Sequence, residues 1–228
     1  MSHARGARGF SLLGLALILV ATVVWGADRV VVEDWSAVPM GHKGIPEGWK
    51  GQSWGSPTYD FTVVEEDGRR ALHLKSRGDS STISKELKGR VSLKDTPVLE
   101  WTWKVVTLPE GGDARHKERD DEAGQVYVVW PRFPEAVRSQ IIGYIWDSTA
   151  PVGTVIPSQK NRTVTYIVVR SGKEGLGQWL TERRNVLDDF RRVYDGDADP
   201  GALSLSIDSD DTRSTAEAYV GPIVFTRK

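Results

Sequence analysis

The 228-residue chain contains no cysteine, only two methionines and four histidines, and no surplus of positive charge. Without cysteine there can be no disulfide, no thiolate-ligated zinc or iron–sulfur centre and no thiol nucleophile. A formal net charge of -1 with no basic tail argues against a nucleic-acid partner, because such binding needs clustered Lys and Arg to displace counterions from phosphates. His3, His42, His73 and His116 are scattered and never reach the two-His spacing of a metal site. Repeats, low-complexity linkers and internal boundaries are also missing, so residues 27–228 read as a single domain.

What is present begins with an apolar run. Arg5 and Arg8 precede Phe10 to Trp25, and Val24 and Gly26 follow the spacing that signal peptidase accepts. The run is shorter than the ~20 residues of a spanning helix, so residues 1–26 are expected to be a signal peptide, cleaved after Gly26 or Ala27. The protein is then periplasmic or extracellular, with no membrane attachment after cleavage. Retention as an N-terminal anchor is the alternative, because Trp25 sits poorly beside a cleavage site. Cleavage removes two arginines and no acid, leaving 28 basic against 31 acidic side chains.

The remainder is dominated by strand patterns. Leu99, Trp101, Trp103 and Val105 alternate with Glu100, Thr102 and Lys104, and Leu203, Leu205 and Ile207 alternate with Ser204, Ser206 and Asp208, as half-buried strands do. Tyr59 to Glu65 and Arg70 to Ser76 flank Asp67-Gly68, a pair suited to a tight hairpin turn. Further strands are expected at residues 30–34, 82–87, 125–130, 142–146, 163–170, 178–184 and 218–226. About ten strands in one domain imply an all-β fold, a two-sheet sandwich or jelly roll. One short helix is expected, where Val186, Leu187, Phe190, Val193 and Tyr194 recur at helical spacing, with Asp188 and Asp189 early and Arg191 and Arg192 late, as the helix dipole prefers. Residues 109–122 and 195–201 read as loops.

Several motifs stand in one order: Glu100-Trp101-Thr102-Trp103-Lys104, Arg119-Asp120-Asp121, Gly143-Tyr144-Ile145-Trp146, Gly177-Gln178-Trp179-Leu180-Thr181-Glu182, Asp208-Ser209-Asp210-Asp211-Thr212 and Tyr219-Val220-Gly221-Pro222. Together they resemble a bacterial secreted domain-of-unknown-function family over most of the chain beyond the signal segment. That family is similar in turn to galactose-binding-like β-sandwiches, including the domain of a mitochondrial complex I intermediate-associated assembly factor. The resemblance implies a jelly roll and supplies no catalytic residues.

Nine Trp against five Phe is an unusual preference, since Phe fills a core without an N–H that needs a partner. Indole rings stack on the apolar faces of sugars while carboxylates and amides meet the hydroxyls, so a polysaccharide or other glycan is the expected partner. Trp101 and Trp103 alternate so strictly that they read as core. The expected ligand contacts are Tyr144, Trp146, Asp147, Trp179, Glu182 and Asn185. Strand geometry places Tyr144 and Trp146 on one face and Asp147 on the other, and Trp179 opposite Glu182; the six converge only at strand ends.

Asp208, Asp210 and Asp211, with Glu217 a few residues on, gather hard oxygen ligands at a strand end and suggest one structural calcium; Asp120, Asp121 and Glu122 offer a second contribution. A solvated acidic turn is the alternative. Gly51-Gln52-Ser53-Trp54-Gly55 matches G-x-S-x-G, but the surrounding Pro46, Gly48 and Pro57 leave no room for the strand and helix of a nucleophile elbow. The reading that results is a secreted, non-catalytic carbohydrate-binding module. A carbohydrate-active enzyme, using Glu100, Asp147 or Glu182 as paired carboxylates, is the first alternative, and an assembly or protein-interaction domain the second.

Overall fold

The computed structural model describes Met1 and residues 28–227; the signal-peptide reading and its cleavage site lie outside them. The elements are β1 (Arg29–Glu33), β2 (Lys50–Gly51), β3 (Asp60–Glu66), β4 (Arg69–Arg77), β5 (Ser80–Glu86), β6 (Val98–Thr107), β7 (Gly124–Trp130), α1 (Glu135–Arg138), β8 (Gln140–Asp147), β9 (Val155–Pro157), β10 (Val164–Ser171), β11 (Leu180–Asn185), α2 (Val186–Tyr194), β12 (Ala202–Asp208) and β13 (Thr215–Thr226).

They form two sheets of an all-β jelly-roll sandwich. The first runs β11-β6-β13-β4-β3, with β1 added along β13; the second runs β2-β5-β12-β7-β8-β10-β9. All pairings are antiparallel except β8 with β10. The expected hairpin is there: Asp67 and Gly68 both take positive φ (51° and 71°), and Glu66 faces Arg69 across the ladder. The long strand β13 bulges between Val220 and Ile223, so its first half pairs with β4 and its second half with β1.

The core lies between the sheets, and its centre is aromatic. Trp101 and Trp103 project inward from β6, and Tyr144 and Trp146 inward from β8, all fully buried. Trp101 stacks on Tyr144 at 5.4 Å, Trp103 meets Trp146 at 5.8 Å, and the two β6 indoles pack edge to face at 5.5 Å. Such aromatic pairs add about 0.5–1.5 kcal/mol each beyond the area they bury. The helix α2 forms where its spacing indicates. Asn185 caps it by accepting from the Asp188 N–H, and Phe190 packs on Trp130 with ring centroids 4.4 Å apart.

Three elements do not figure in the sequence reading: the two-residue β2, the three-residue β9 and the four-residue α1. None is long enough to display a period. Among the described residues no helix is long and apolar enough to cross a membrane.

Candidate functional site

The outward faces of the two sheets differ in chemistry. On the first sheet, neighbouring strands place Lys104, Tyr219 and His73 side by side. His73 lies flat on Tyr219, ring centroids 4.1 Å apart and 5° from parallel. Trp179, in the turn just before β11, extends this row at 6.3 Å from Tyr219. Its indole rests over Gly221, where an added Cβ would meet the ring at an ordinary 3.5 Å but would sit 2.3 Å from Thr102 Oγ1; it is the close approach of Thr102 that calls for glycine there.

Charged side chains frame this row. Arg69 stands over Trp179 and Lys104 over Tyr219, each 5.7 Å from the ring centre. Lys104 is ion-paired with Glu66 (2.5 Å) and Asp67 (2.8 Å), which raises its pKa. His73 Nε2 meets Glu217 Oε1 at 2.7 Å. At one end of the row lie two shallow cavities. One of about 320 Å³ is bounded by Lys75, Arg77, Thr107 and Glu217, and one of about 230 Å³ by Thr58, Asp60, Arg77 and Asp79.

Along the second sheet the chemistry is acidic and closed. The loop before β7 carries Asp120, Asp121 and Glu122; Asp208 ends β12, and the turn after it carries Asp210 and Asp211. Backbone bonds lace the two segments together: Asp208 N–H donates to the Glu122 carbonyl (3.1 Å), while Asp121 accepts from the N–H groups of Asp211 (3.2 Å) and Thr212 (2.7 Å). One carboxylate oxygen from each of Asp121, Asp208 and Asp210 falls within 4.8 Å of the others, so this cluster, buried at Asp121 and open to solvent at Asp210, can hold a metal ion. Lys160 is the one basic side chain ion-paired with it among the described residues, at Asp211 and more distantly at Asp210.

Burial is the main force on these acids. It pushes the Asp208 carboxyl up to about 9, with the charges of Asp210 and Asp121 adding. It pushes Asp120 up to about 6, opposed by Lys160 and reinforced by Asp211 and Asp121. Glu122 is driven well above the ordinary glutamate range by burial and then by Asp120, Asp208, Asp147 and Asp121. Neither of its carboxylate oxygens has a hydrogen-bond partner, nor has Asp120 Oδ1.

The structure disperses the six expected ligand contacts. Tyr144 and Trp146 are in the sandwich core, and Trp146 Nε1 donates to the Gly172 carbonyl at 2.9 Å; they face the opposite sheet rather than solvent. Asp147 is fully buried and organises loops, accepting from the N–H groups of Ala114 (2.9 Å), Thr149 (2.6 Å) and Ala150 (2.5 Å). Glu182 faces inward opposite Trp101, where it receives the Trp103 indole N–H (3.2 Å) and Arg170 (2.6 Å). Asn185 is the helix cap. Trp179 alone of the six stands in an outward, partly exposed row.

Of the expected metal ligands, Asp208 and Asp210 come together and Asp211 lies beside them. Glu217 does not join them. It sits on β13 of the other sheet, tied to His73 and Lys75, because the chain between Asp211 and β13 crosses from one sheet to the other. Asp121 takes its place. Tyr219 and the 63% exposed Trp54 were missed as surface groups, and His73, which the hairpin strand left as either surface or core, lies on the outward face. The alternation of Tyr219 with the buried Ala218 and Val220 was the available signal for the first, and Trp54 was hidden within the G-x-S-x-G segment, which the structure shows as loop after β2.

No curated protein sequence matches the chain. Among solved structures it is similar to the family 30 carbohydrate-binding module of a Clostridium thermocellum cellulosomal cellulase (10% identity, 87% of this chain and 97% of that one, TM-score 0.44). It is similar to a Caldicellulosiruptor saccharolyticus CBM27 module in complex with mannohexaose (13%, 89% and 99%, 0.42), and to the xyloglucanase domain of NopAA, a type three effector from Sinorhizobium fredii, in complex with cellobiose (11%, 78% and 93%, 0.42). At such identities and scores the functional reading rests on the chain's own geometry. Residues 47–224 match the family described as "Protein of unknown function (DUF3047)", and the chain belongs to that family.

Proposed function

We propose that the protein is an exported, non-catalytic carbohydrate-binding module whose binding surface is the outward face of the first sheet. The observation that carries this is the row Trp179, Tyr219 and His73, partly exposed and framed by Arg69, Lys104, Glu66 and Asp67. An aromatic ring offers a sugar its apolar C–H face a flat partner, and the neighbouring charged groups offer the hydroxyls donors and acceptors. The adjoining cavities extend the surface toward Thr58, at the end of the loop that bears Trp54. Both cavities lie against the first sheet, beside this row.

A glycan array probed with the mature chain tests this reading. One polysaccharide class is expected to bind, and Trp179→Ala or Tyr219→Ala to weaken it by about 2 kcal/mol, some thirtyfold, as loss of a central aromatic anchor does, with melting behaviour retained. Binding unchanged in both variants, or no glycan bound at all, sinks it. Export predicts an N-terminus at Ala27 or Asp28; mass spectrometry of the native protein finding Met1 retained would refute cleavage.

The finer assignment for the acidic cluster is one calcium held by Asp121, Asp208 and Asp210 with Asp211 alongside, because carboxylates from a loop, a strand end and the turn after it suit its flexible oxygen coordination. A ligand bound only by the folded chain raises stability by mass action. An unchanged melting temperature between excess EDTA and millimolar calcium, with Asp210→Ala equally silent, would remove this site.

A further inference from the structure

The loop between β2 and β3 carries Trp54, 63% exposed and the most exposed tryptophan among the described residues, yet the loop is tied down at both ends. At its start the Gln52 side-chain amide is fully engaged. Its Oε1 accepts from the Thr82 N–H (2.6 Å), and its Nε2 donates to the carbonyls of Trp54 (2.9 Å) and Ser80 (3.3 Å). At its end the Thr58 N–H (3.3 Å) and hydroxyl (2.8 Å) donate to Asp79, and the Tyr59 N–H donates to Ser81 Oγ (3.2 Å). Gly51 lies where the two ends meet, and a Cβ there would sit 2.4 Å from the Tyr59 hydroxyl. The chain therefore holds the backbone of Trp54 in place while leaving its large apolar ring in water.

This loop borders the aromatic row. Because the Trp54 and Ser80 carbonyls share one amide donor, Trp54 stands beside the turn from β4 to β5. Thr58 of the loop and Asp79 of the turn line the cavity of about 230 Å³ together with Asp60, Lys75 and Arg77. Lys75 and Arg77 also bound the cavity of about 320 Å³, and they follow His73 on one face of β4 at two-residue steps of roughly 7 Å. We propose that Trp54 and these two cavities form a second glycan subsite, so that the ligand is an extended, uncharged polysaccharide; this rests on the carbohydrate-binding reading above. Extension follows from the span, since His73 to Arg77 alone is roughly 13 Å, longer than one sugar ring. Neutrality follows from the lining: Lys75 and Arg77 are set against Asp60, Asp79 and Glu217, and Glu217 already serves His73 (2.7 Å) and Lys75 (3.7 Å). With no surplus of cations, a uronate or sulfate would meet repulsion as well as attraction, whereas hydroxyls, which donate and accept, find partners of both kinds. A loop ordered before binding adds affinity because little ordering remains to be done when the ligand arrives.

The test is affinity electrophoresis of the mature chain in gels containing galactomannan, xyloglucan, xylan or polygalacturonate, run beside Trp54→Ala, Trp54→Phe and Trp179→Ala, with a melting curve for each protein. A neutral polysaccharide is expected to retard wild type, and polygalacturonate is not. Trp54→Ala should weaken the retardation about tenfold, as loss of one aromatic anchor does, at an unchanged melting temperature because the ring is exposed. Trp54→Phe, which keeps a flat ring, should recover most of it. In calorimetry, the advantage of a hexasaccharide of the retarding polysaccharide over its disaccharide should shrink in Trp54→Ala, since only the longer ligand reaches both subsites. Retardation by polygalacturonate in place of the neutral gels overturns the uncharged class. A Trp54→Ala variant retarded like wild type, while Trp179→Ala is not, overturns the second subsite and leaves the carbohydrate reading intact. A wild type that no gel retards overturns both.

Discussion

Asp147, at the end of β8, and Glu122, two residues before β7, are both carboxyls closed off from solvent, yet their surroundings differ. Asp147 is wrapped by the N–H groups of Ala114, Thr149 and Ala150, so it holds the loop after β8 against the loop before β7. Glu122 has acids for neighbours and no donor. The first is a structural tie that the chain completes by itself, and the second is an acid that burial and then its acidic neighbours push toward the neutral form. The tryptophans divide in the same way. Trp146 is sealed in the core with its N–H bonded to Gly172, whereas Trp179 lies on an outward face over Gly221.

The largest effects should come from the completed members of these pairs. Trp146→Ala is expected to cost about 3–5 kcal/mol, the range for emptying a buried aromatic site, as read by urea unfolding; a loss below about 1 kcal/mol would mean that the site is less tightly packed than its burial indicates. Asp147→Ala orphans three buried N–H groups and is expected to cost about 3 kcal/mol or more, at about 1–3 for each unsatisfied group. Were it neutral, the contrast with Glu122 would lose its basis. Calcium at a hundred times its dissociation constant should add about 2.7 kcal/mol. Trp179→Ala, by contrast, should leave unfolding within about 1 kcal/mol of wild type while glycan binding falls, and a large stability loss would return Trp179 to the core.

How much of this was legible in the sequence depends on the length over which each pattern acts. Strict alternation along β6 and β12, the Asp67-Gly68 turn and the helical spacing of Val186 to Tyr194 are local signals, and each gave the element found. The same alternation told that Trp179 and Glu182 look opposite ways, and they do. It could not tell that Tyr144 and Trp146 face the other sheet and not solvent, because both faces of β8 are covered: Ala114 and Ala150 from loops and Ile156 of β9 pack with Ile145 on its outer side. Burial there is set by segments distant in the chain. The metal cluster was half legible for the same reason. Asp208 and Asp210 are neighbours in sequence, whereas Asp121 reaches them only because β12 pairs with β7, and Glu217 leaves because β13 belongs to the other sheet.

The smallest expected effect concerns pH and a third acid of the same loop. Asp113 is held down to about 2, first by the Arg115 guanidinium hydrogen bond and, against the opposing effect of burial, by the Arg115 backbone N–H; Arg115 Nε and Nη2 both donate to it at 2.8 Å. Its folded pKa lies below the unfolded value of about 3.9, so the ionised form is the one that folding favours. The stability it contributes is complete above about pH 4 and is lost as pH falls toward 2. Because Arg115 is substantially exposed, solvent screening limits the effect to about 1 kcal/mol or less. Urea midpoints measured between pH 6 and pH 2 should therefore fall less steeply for Asp113→Asn than for wild type. Parallel curves would show that Arg115 does not hold this carboxyl in solution, and Asp147, tied by three backbone N–H groups, would then stand without Asp113 as the partnered contrast to Glu122.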